Sequence, residues 1–338
     1  MNRKIIISVI FTLLVGLIIW YFFGQKQPEK YTGPVEKIRL GTAAQGPDFS
    51  LLISVAQDQG YFESNGLDVL DISSPTTLEI QQGLDAGELD LGVSTEFAYL
   101  TAISGADPLK AKIVAVIDKG QTIKMVVRKD RGISAPADLK GKKIAVFKKT
   151  PQEYFLGTFL ASNNLNLEDV QLTDLPPANA KDAILEGEVD AAVMSGQYVY
   201  QASKSLAAKA VIWPIQGNIN FNWIVMGGNQ FIQNHPKTLE RFLKALIQAE
   251  EYVQKNPDKS QELLTKKFNL EQPYLVSMWP ENEYIVSLDQ TLLLLMENET
   301  RWAIANKLIK ETKVPNYLDF IYFDALEKVE PEAVNIIH

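Results

Sequence analysis

The chain has 338 residues, 46% of them hydrophobic and 22% charged, which excludes a disordered tail and, at ~100 to 200 residues per domain, suggests two domains. It has no cysteine, so a disulfide framework, zinc ribbons, thiolate catalysis and a lipidated cysteine anchor are excluded. A net charge of −8 argues against general attraction to nucleic-acid phosphates, and two histidines, His235 and His338, leave little for metalloenzyme or triad chemistry.

From Ile5 to Phe23 the chain carries no charge. At ~1.5 Å per residue this run is ~28 Å long, enough to cross the hydrocarbon core of a bilayer. Tyr21 to Lys26 offers no small-x-small cleavage site, so residues 1–24 are expected to be an uncleaved transmembrane anchor, with Trp20 and Tyr21 at the interface. Arg3 and Lys4 face Lys26 and Lys30 across the span, so positive charge leaves its orientation open. Residues 25–37, with Pro28, Gly33 and Pro34, read as a linker.

Beyond the linker, short apolar runs alternate with helical patterns, as in α/β units around mostly parallel sheets. Strands are expected at Ile38–Thr42, Leu67–Ile72, Leu89–Val93, Ala111–Ile117 and Thr122–Arg128. A second series is expected at Lys143–Phe147, Val170–Leu175, Val189–Met194, Ala210–Trp213 and Phe221–Met226. Thr76 with Glu79, and Thr150 with Glu153 behind Pro151, have the spacing of capping boxes. Lys237–Gln254 and Leu288–Lys310 read as amphipathic helices of the first lobe.

An internal echo organises these elements. Leu84-Asp-Ala-Gly-Glu-Leu-Asp-Leu-Gly-Val93 and Ile184-Leu-Glu-Gly-Glu-Val-Asp-Ala-Ala-Val193 share Gly-Glu-(Leu/Val)-Asp-x-x-Val. Each ends a helix at glycine, enters a strand, and is followed by a hydroxyl residue, Ser94 or Ser195. Two lobes built on one plan place their strand carboxyl ends at a shared cleft. The expected division is 38–125 for the first part of lobe one, 126–221 for lobe two, and 222–338 for the rest of lobe one. Two extended crossings between the lobes suit a hinge.

At this point the sequence resembles the extracytoplasmic substrate-binding proteins of ABC importers, in the group for nitrate, taurine, alkanesulfonates and the pyrimidine precursor of thiamine. Ile38-Arg-Leu-Gly-Thr42 and Ala56-Gln-Asp-Gln-Gly-Tyr-Phe-Glu-Ser-Asn-Gly-Leu-Asp-Val69 carry the resemblance in the first lobe, and Asp138-Leu-Lys-Gly-Lys-Lys-Ile-Ala-Val146 carries it into the second. Asn234-His-Pro236 and Asn256-Pro257 are similar to the family's helical section. Where relatives often show a Trp-x-Pro-like turn, Met194-Ser-Gly-Gln197 stands here.

The resemblance implies a two-lobed α/β periplasmic-binding-protein-like fold of type II. It also implies an ABC permease as membrane partner, and a globular part on the extracytoplasmic side, here tethered and expected to be monomeric.

Four loops at strand carboxyl ends should then line the cleft. The first holds Gln45 and Asp48; Asp48 reads equally as an acceptor for an amine or as a helix cap. Ser94 and Thr95 of the second could offer hydroxyls and free N–H groups to an anion, moderated by Glu96. Lys149 and Thr150 of the third add ammonium charge at another helix start, although Thr150 also suits simple capping and loop lysines are often only solvated. The fourth holds Gln197, and Asn222 stands at the return crossing. Tyr154, Tyr198 and Trp223 could stack on a flat ligand or serve as core. Ligand charge stays open: Lys149 with Ser94 favours an anion, Asp48 with Glu96 an aminopyrimidine.

No cofactor, metal or catalytic residue is expected. The leading function is small-molecule capture for a permease. The alternatives are a ligand-sensing subunit for a signalling partner and an enzyme on the same fold. The related pyrimidine-synthesising proteins use an active-site histidine and a cysteine-rich iron site, for which this chain has no cysteines.

Overall fold

The computed structural model describes residues 31–43, 50–74, 77–105 and 108–338. The expected anchor, residues 25–30 of the linker, Gln45, Asp48 and the Thr76 cap lie outside the described residues. Among the described residues no helix is long and apolar enough to cross a membrane.

Ten expected strands form, with ends shifted by a few residues: β1 (Glu36–Ala43), β2 (Leu67–Ser74), β3 (Leu91–Thr95), β4 (Ala111–Gly120) and β5 (Ile123–Arg128), then β6 (Lys143–Val146), β7 (Gln171–Asp174), β8 (Ala191–Ser195), β9 (Ala210–Pro214) and β10 (Phe221–Gly228). A two-residue strand, β11 (Asn282–Glu283), is added at an edge. The helices that position the site are α1 (Leu51–Asp58), α2 (Thr77–Ala86), α3 (Glu96–Ile103), α4 (Pro151–Ser162), α5 (Pro177–Glu186), α6 (Gly196–Leu206), α7 (Pro236–Lys255), α8 (Gln272–Met278) and α9 (Gln290–Ala305).

The strands form two sheets, in the orders β11-β4-β10-β3-β1-β2 and β7-β6-β8-β5-β9. Reading each from its β2 or β7 edge, the same plan appears twice. β1 lies parallel between β2 and β3, as β6 lies parallel between β7 and β8. One antiparallel strand then follows, β10 in the first sheet and β5 in the second. The register repeats as well, with Leu40 opposite Leu91 and Ile144 opposite Ala191.

The duplicated motif explains that register. Asp90 accepts the Arg39 N–H at 2.8 Å, and Asp190 accepts the Lys143 N–H at 2.9 Å. Each aspartate pins the start of its strand to the neighbouring parallel strand, and each is reached through a left-handed glycine, Gly87 (φ 70°) or Gly187 (φ 79°), that closes the preceding helix. Arg39 adds a two-pronged pair to Asp90, at 3.0 and 2.6 Å.

The expected boundary at 125/126 falls inside β5, which belongs wholly to the second sheet, so the chain leaves the first lobe between Gly120 and Ile123 rather than near Arg128. It returns between Pro214 and Phe221. β5 buries Ile123, Met125 and Val127 on one face and Val126, between Lys124 and Arg128, on the other, and this pattern does not tell which sheet it joins. A second correction concerns α9. Assigned from sequence to the first lobe, it packs on α3 of that lobe and also on α4 of the second.

One apolar core runs through both lobes and includes Leu40, Val93 and Phe97 from the first with Val146, Phe155 and Leu160 from the second. A smaller core under α5 and α6 covers the other face of the second sheet. In the first lobe α7 packs on α1, and Phe242 stacks on Phe62 with centroids 5.5 Å apart.

Candidate functional site

The residues expected at the cleft stand at the carboxyl ends of β3, β6 and β8 and the amino end of β10. Thr95 caps α3, its Oγ1 accepting the Ala98 N–H at 3.4 Å. Ser94 is fully buried and its hydroxyl has no hydrogen-bond partner among the described residues. Glu96 is also fully buried and turns inward, where it accepts the Asn222 backbone N–H at 2.8 Å. Ser94, Thr95 and Asn222 therefore meet at the β3–β10 seam.

In the second lobe the expected capping box is rearranged. The Thr150 hydroxyl donates to the Phe147 carbonyl at 2.6 Å, and Glu153 reaches past it to accept the Lys149 N–H at 2.7 Å. Lys149 sits in left-handed backbone (φ 57°), which swings its N–H to the helix start and its side chain into solvent. Burial pushes the Glu153 carboxyl above its ordinary range, against the pull of the Lys149 N–H and the Lys148 charge.

Lys149 and Thr150 line a cavity of about 730 Å³ that spans the lobes. Gln81 and Thr101 contribute polar atoms from α2 and α3, Ala98 and Phe147 an apolar floor, and Lys148 and Lys310 further charge. None of Lys148, Lys149 and Lys310 makes an ion pair with a described residue. With Asp85 as the one lining carboxylate, the cavity carries a local excess of positive charge in a chain of net charge −8. Ser94, Thr95, Gln197 and Asn222 do not line this cavity; Gln197 lies half-buried in the first turn of α6.

Beside the cavity the lobes touch through rings. Trp302 of α9 lies 6.1 Å from Phe97 and 5.4 Å from Tyr154, centroid to centroid. Tyr154 is thus core rather than a free stacking platform. The indole fits because residue 157 is glycine: a Cβ there would stand 2.3 Å from Trp302 Cζ2. On the opposite flank, α8 meets α6 through Tyr274 and Tyr200, 5.7 Å apart, and an ion pair of Lys204 with Glu271.

The crossings are tied by a residue the sequence reading did not single out. Gln216, buried on the return crossing, accepts the Ile123 N–H at 2.7 Å and donates to the Gly120 and Ile219 carbonyls, each at 3.0 Å. Gln121 donates to Asn220 at 2.7 Å across the same two strands. Glu299 was also missed, although its signal was legible: it occupies the apolar stripe of α9 with Leu292, Met296 and Ala303. Both of its carboxyl oxygens, and Oε1 of Glu96, are buried without a hydrogen-bond donor among the described residues. Burial pushes Glu96 up to about 8; burial and then the Glu96 charge push Glu299 well above the usual carboxylate range.

Residues 48–260 match the family model described as NMT1/THI5 like. The chain belongs to that family. A putative binding protein of Brucella abortus is 29% identical over 232 residues, covering 65% of this chain and 70% of that protein. A putative aliphatic sulfonates-binding protein of Escherichia coli is 24% identical over 238 residues, covering 67% and 74%. Among solved structures, the alkanesulfonate-binding protein of Xanthomonas axonopodis pv. citri bound to MOPS superimposes with a TM-score of 0.73 at 18% identity, covering 86% of this chain and 100% of that one. A desulfurization enzyme also matches, with a TM-score of 0.65 at 15% identity over 87% of this chain and 99% of that one. The NMT1/THI5-like chain thus has the two-lobed α/β fold of type II periplasmic binding proteins. Its Glu299 and Trp302 lie beyond the matched span.

Proposed function

We propose that this protein is the solute-binding component of an ABC importer, and that it captures a small anion of the sulfonate class between its lobes for delivery to a membrane permease. The observation that carries this reading is the inter-lobe cavity, lined by Lys148, Lys149 and Lys310 with hydroxyl and amide side chains, where the one lining carboxylate, Asp85, accepts the Lys110 N–H and pairs with none of the three lysines. An anion entering there gains charge-assisted hydrogen bonds without displacing an existing ion pair. The sulfonate-binding relatives support the ligand class, and the two crossings tied by Gln216 support capture by lobe movement. The shared fold of a desulfurization enzyme transfers no chemistry at 15% identity. Residues 1–24 are proposed to tether the globular part to the extracytoplasmic face of the membrane.

A thermal-shift panel of alkanesulfonates, taurine, nitrate, aromatic acids and pyrimidines, run on the full-length chain, tests the reading. A ligand at about one hundred times its dissociation constant adds about 2.7 kcal/mol of stability. Sulfonates are expected to raise the melting temperature. A panel without a shift would count against solute capture, and a shift with pyrimidines alone would reassign the ligand.

A further inference from the structure

Glu96 opens α3 in the first lobe and Glu299 lies on α9, which packs on α3; both are completely buried, and Glu96 Oε1 and both Glu299 carboxyl oxygens have no hydrogen-bond donor among the described residues. Two buried carboxylates that act on each other without a donor cannot both stay ionised, so one of the pair must keep its proton. Among the described residues no cation acts on either carboxyl to replace it. From β10 comes the Asn222 N–H at 2.8 Å, and from α4 the phenol of Tyr154. The short turn Tyr317–Phe320 contributes Tyr317, which is bonded to Thr300. Glu153 of α4 is occupied with Lys149, and Arg301, the cation of α9, is paired with Glu297 at 2.8 Å. Tyr99 of α3 donates instead to the Ala111 carbonyl at 2.8 Å. Asp118, the buried carboxyl of β4, lies two strands from Thr95, with Trp223 of β10 between them.

The pair sits where the lobes are joined. One helical turn beyond Glu299, Trp302 reaches both Phe97 of the first lobe and Tyr154 of the second. We propose that Glu96 and Glu299 form a proton-operated clasp on the lobe seam. With one proton shared, α9 stays bound to α3 and carries Trp302 against the second lobe; when that proton leaves, the two carboxylates separate, Trp302 withdraws from Gly157, and the lobes part. Applied to the solute-binding reading above, on which this last step rests, parting of the lobes releases the solute as pH rises.

The test uses the absence of cysteine, which allows two spin labels to be placed cleanly, at Glu88→Cys in the first lobe and Glu168→Cys in the second, both exposed. Inter-label distances are measured on the full-length, ligand-free chain from pH 6 to pH 9, with far-UV circular dichroism in parallel. The distance distribution should lengthen with pH while the dichroism stays constant. Glu299→Gln, whose amide can donate to Glu96 at any pH, should hold the short distance throughout, and Glu96→Gln serves if that variant does not fold. A wild-type distance independent of pH, a glutamine variant that opens as the wild type does, or opening accompanied by loss of helix signal would each overturn the clasp. Because no ligand is present, a failed solute panel leaves this result standing, and a failed clasp leaves solute capture intact.

Discussion

Replacing Gln216 by alanine should loosen the joint between the lobes measurably. The amide is buried and makes three hydrogen bonds, one from the Ile123 N–H at 2.7 Å and one each to the Gly120 and Ile219 carbonyls at 3.0 Å. Ile123 is buried, so truncation strands its N–H away from water, at about 1 to 3 kcal/mol; each lost carbonyl contact adds about 0.5 to 1.5 kcal/mol where water does not enter. A total of about 2 to 6 kcal/mol is expected, and with an unfolding entropy of ~0.7 kcal/mol/K for a chain of this size that lowers the melting temperature by roughly 3 to 9 °C. Gln216→Glu separates this account from simple loss of packing. The carboxylate fills the same space and still accepts from Ile123, but it faces two carbonyl oxygens with no proton to give, and should cost at least as much as alanine. Urea denaturation of both variants is the assay. A loss below about 0.5 kcal/mol for alanine, or a glutamate variant as stable as wild type, would refute the clasp role of the side chain.

Gly157→Ala should cost about 1 to 3 kcal/mol by forcing the Trp302 indole away, and Trp302→Ala in the same chain should recover part of that loss in a double-mutant cycle; additive losses would place the strain elsewhere. Stability should also fall as pH rises between about 4.5 and 8. Glutamate ionises near 4.5 when unfolded, whereas burial holds folded Glu96 protonated up to about 8, so the folded state binds the extra proton throughout that window. The slope is about 1.4 kcal/mol per pH unit for each such proton, and Glu299→Gln should flatten it in denaturation curves from pH 5 to pH 9. An unchanged slope would show that the pair does not share a proton.

The fold was legible because its signals are local and repeated. Alternation and β-branched runs located ten strands, and the Gly-Glu-x-Asp echo announced two lobes on one plan, whose common register is fixed by Asp90 and Asp190. What remained hidden is non-local. Nothing in Ile123–Arg128 tells which sheet it joins, since buried apolar residues stand on both of its faces, and nothing in the loop around Gln216 shows that its amide spans two crossings. The candidate site was read in part. Of the expected loops, the one with Lys149 and Thr150 lines the inter-lobe cavity, but capping patterns do not show which way a side chain turns: Glu96 points into the core, and Glu153 serves Lys149 rather than Thr150. A glutamate in the apolar stripe of α9 was the one visible sign of the buried acid pair.

Isothermal titration with the sulfonate that shifts the melting temperature most, on wild type and on the Lys148→Ala/Lys149→Ala double variant, tests the central claim most directly. Anion capture by these lysines predicts one site per chain, binding that weakens as salt is raised, and a loss of tenfold or more in affinity, about 1.4 kcal/mol, in a double variant that melts normally. Equal affinity for the two proteins would contradict the assignment of the inter-lobe cavity as the place where solute is held.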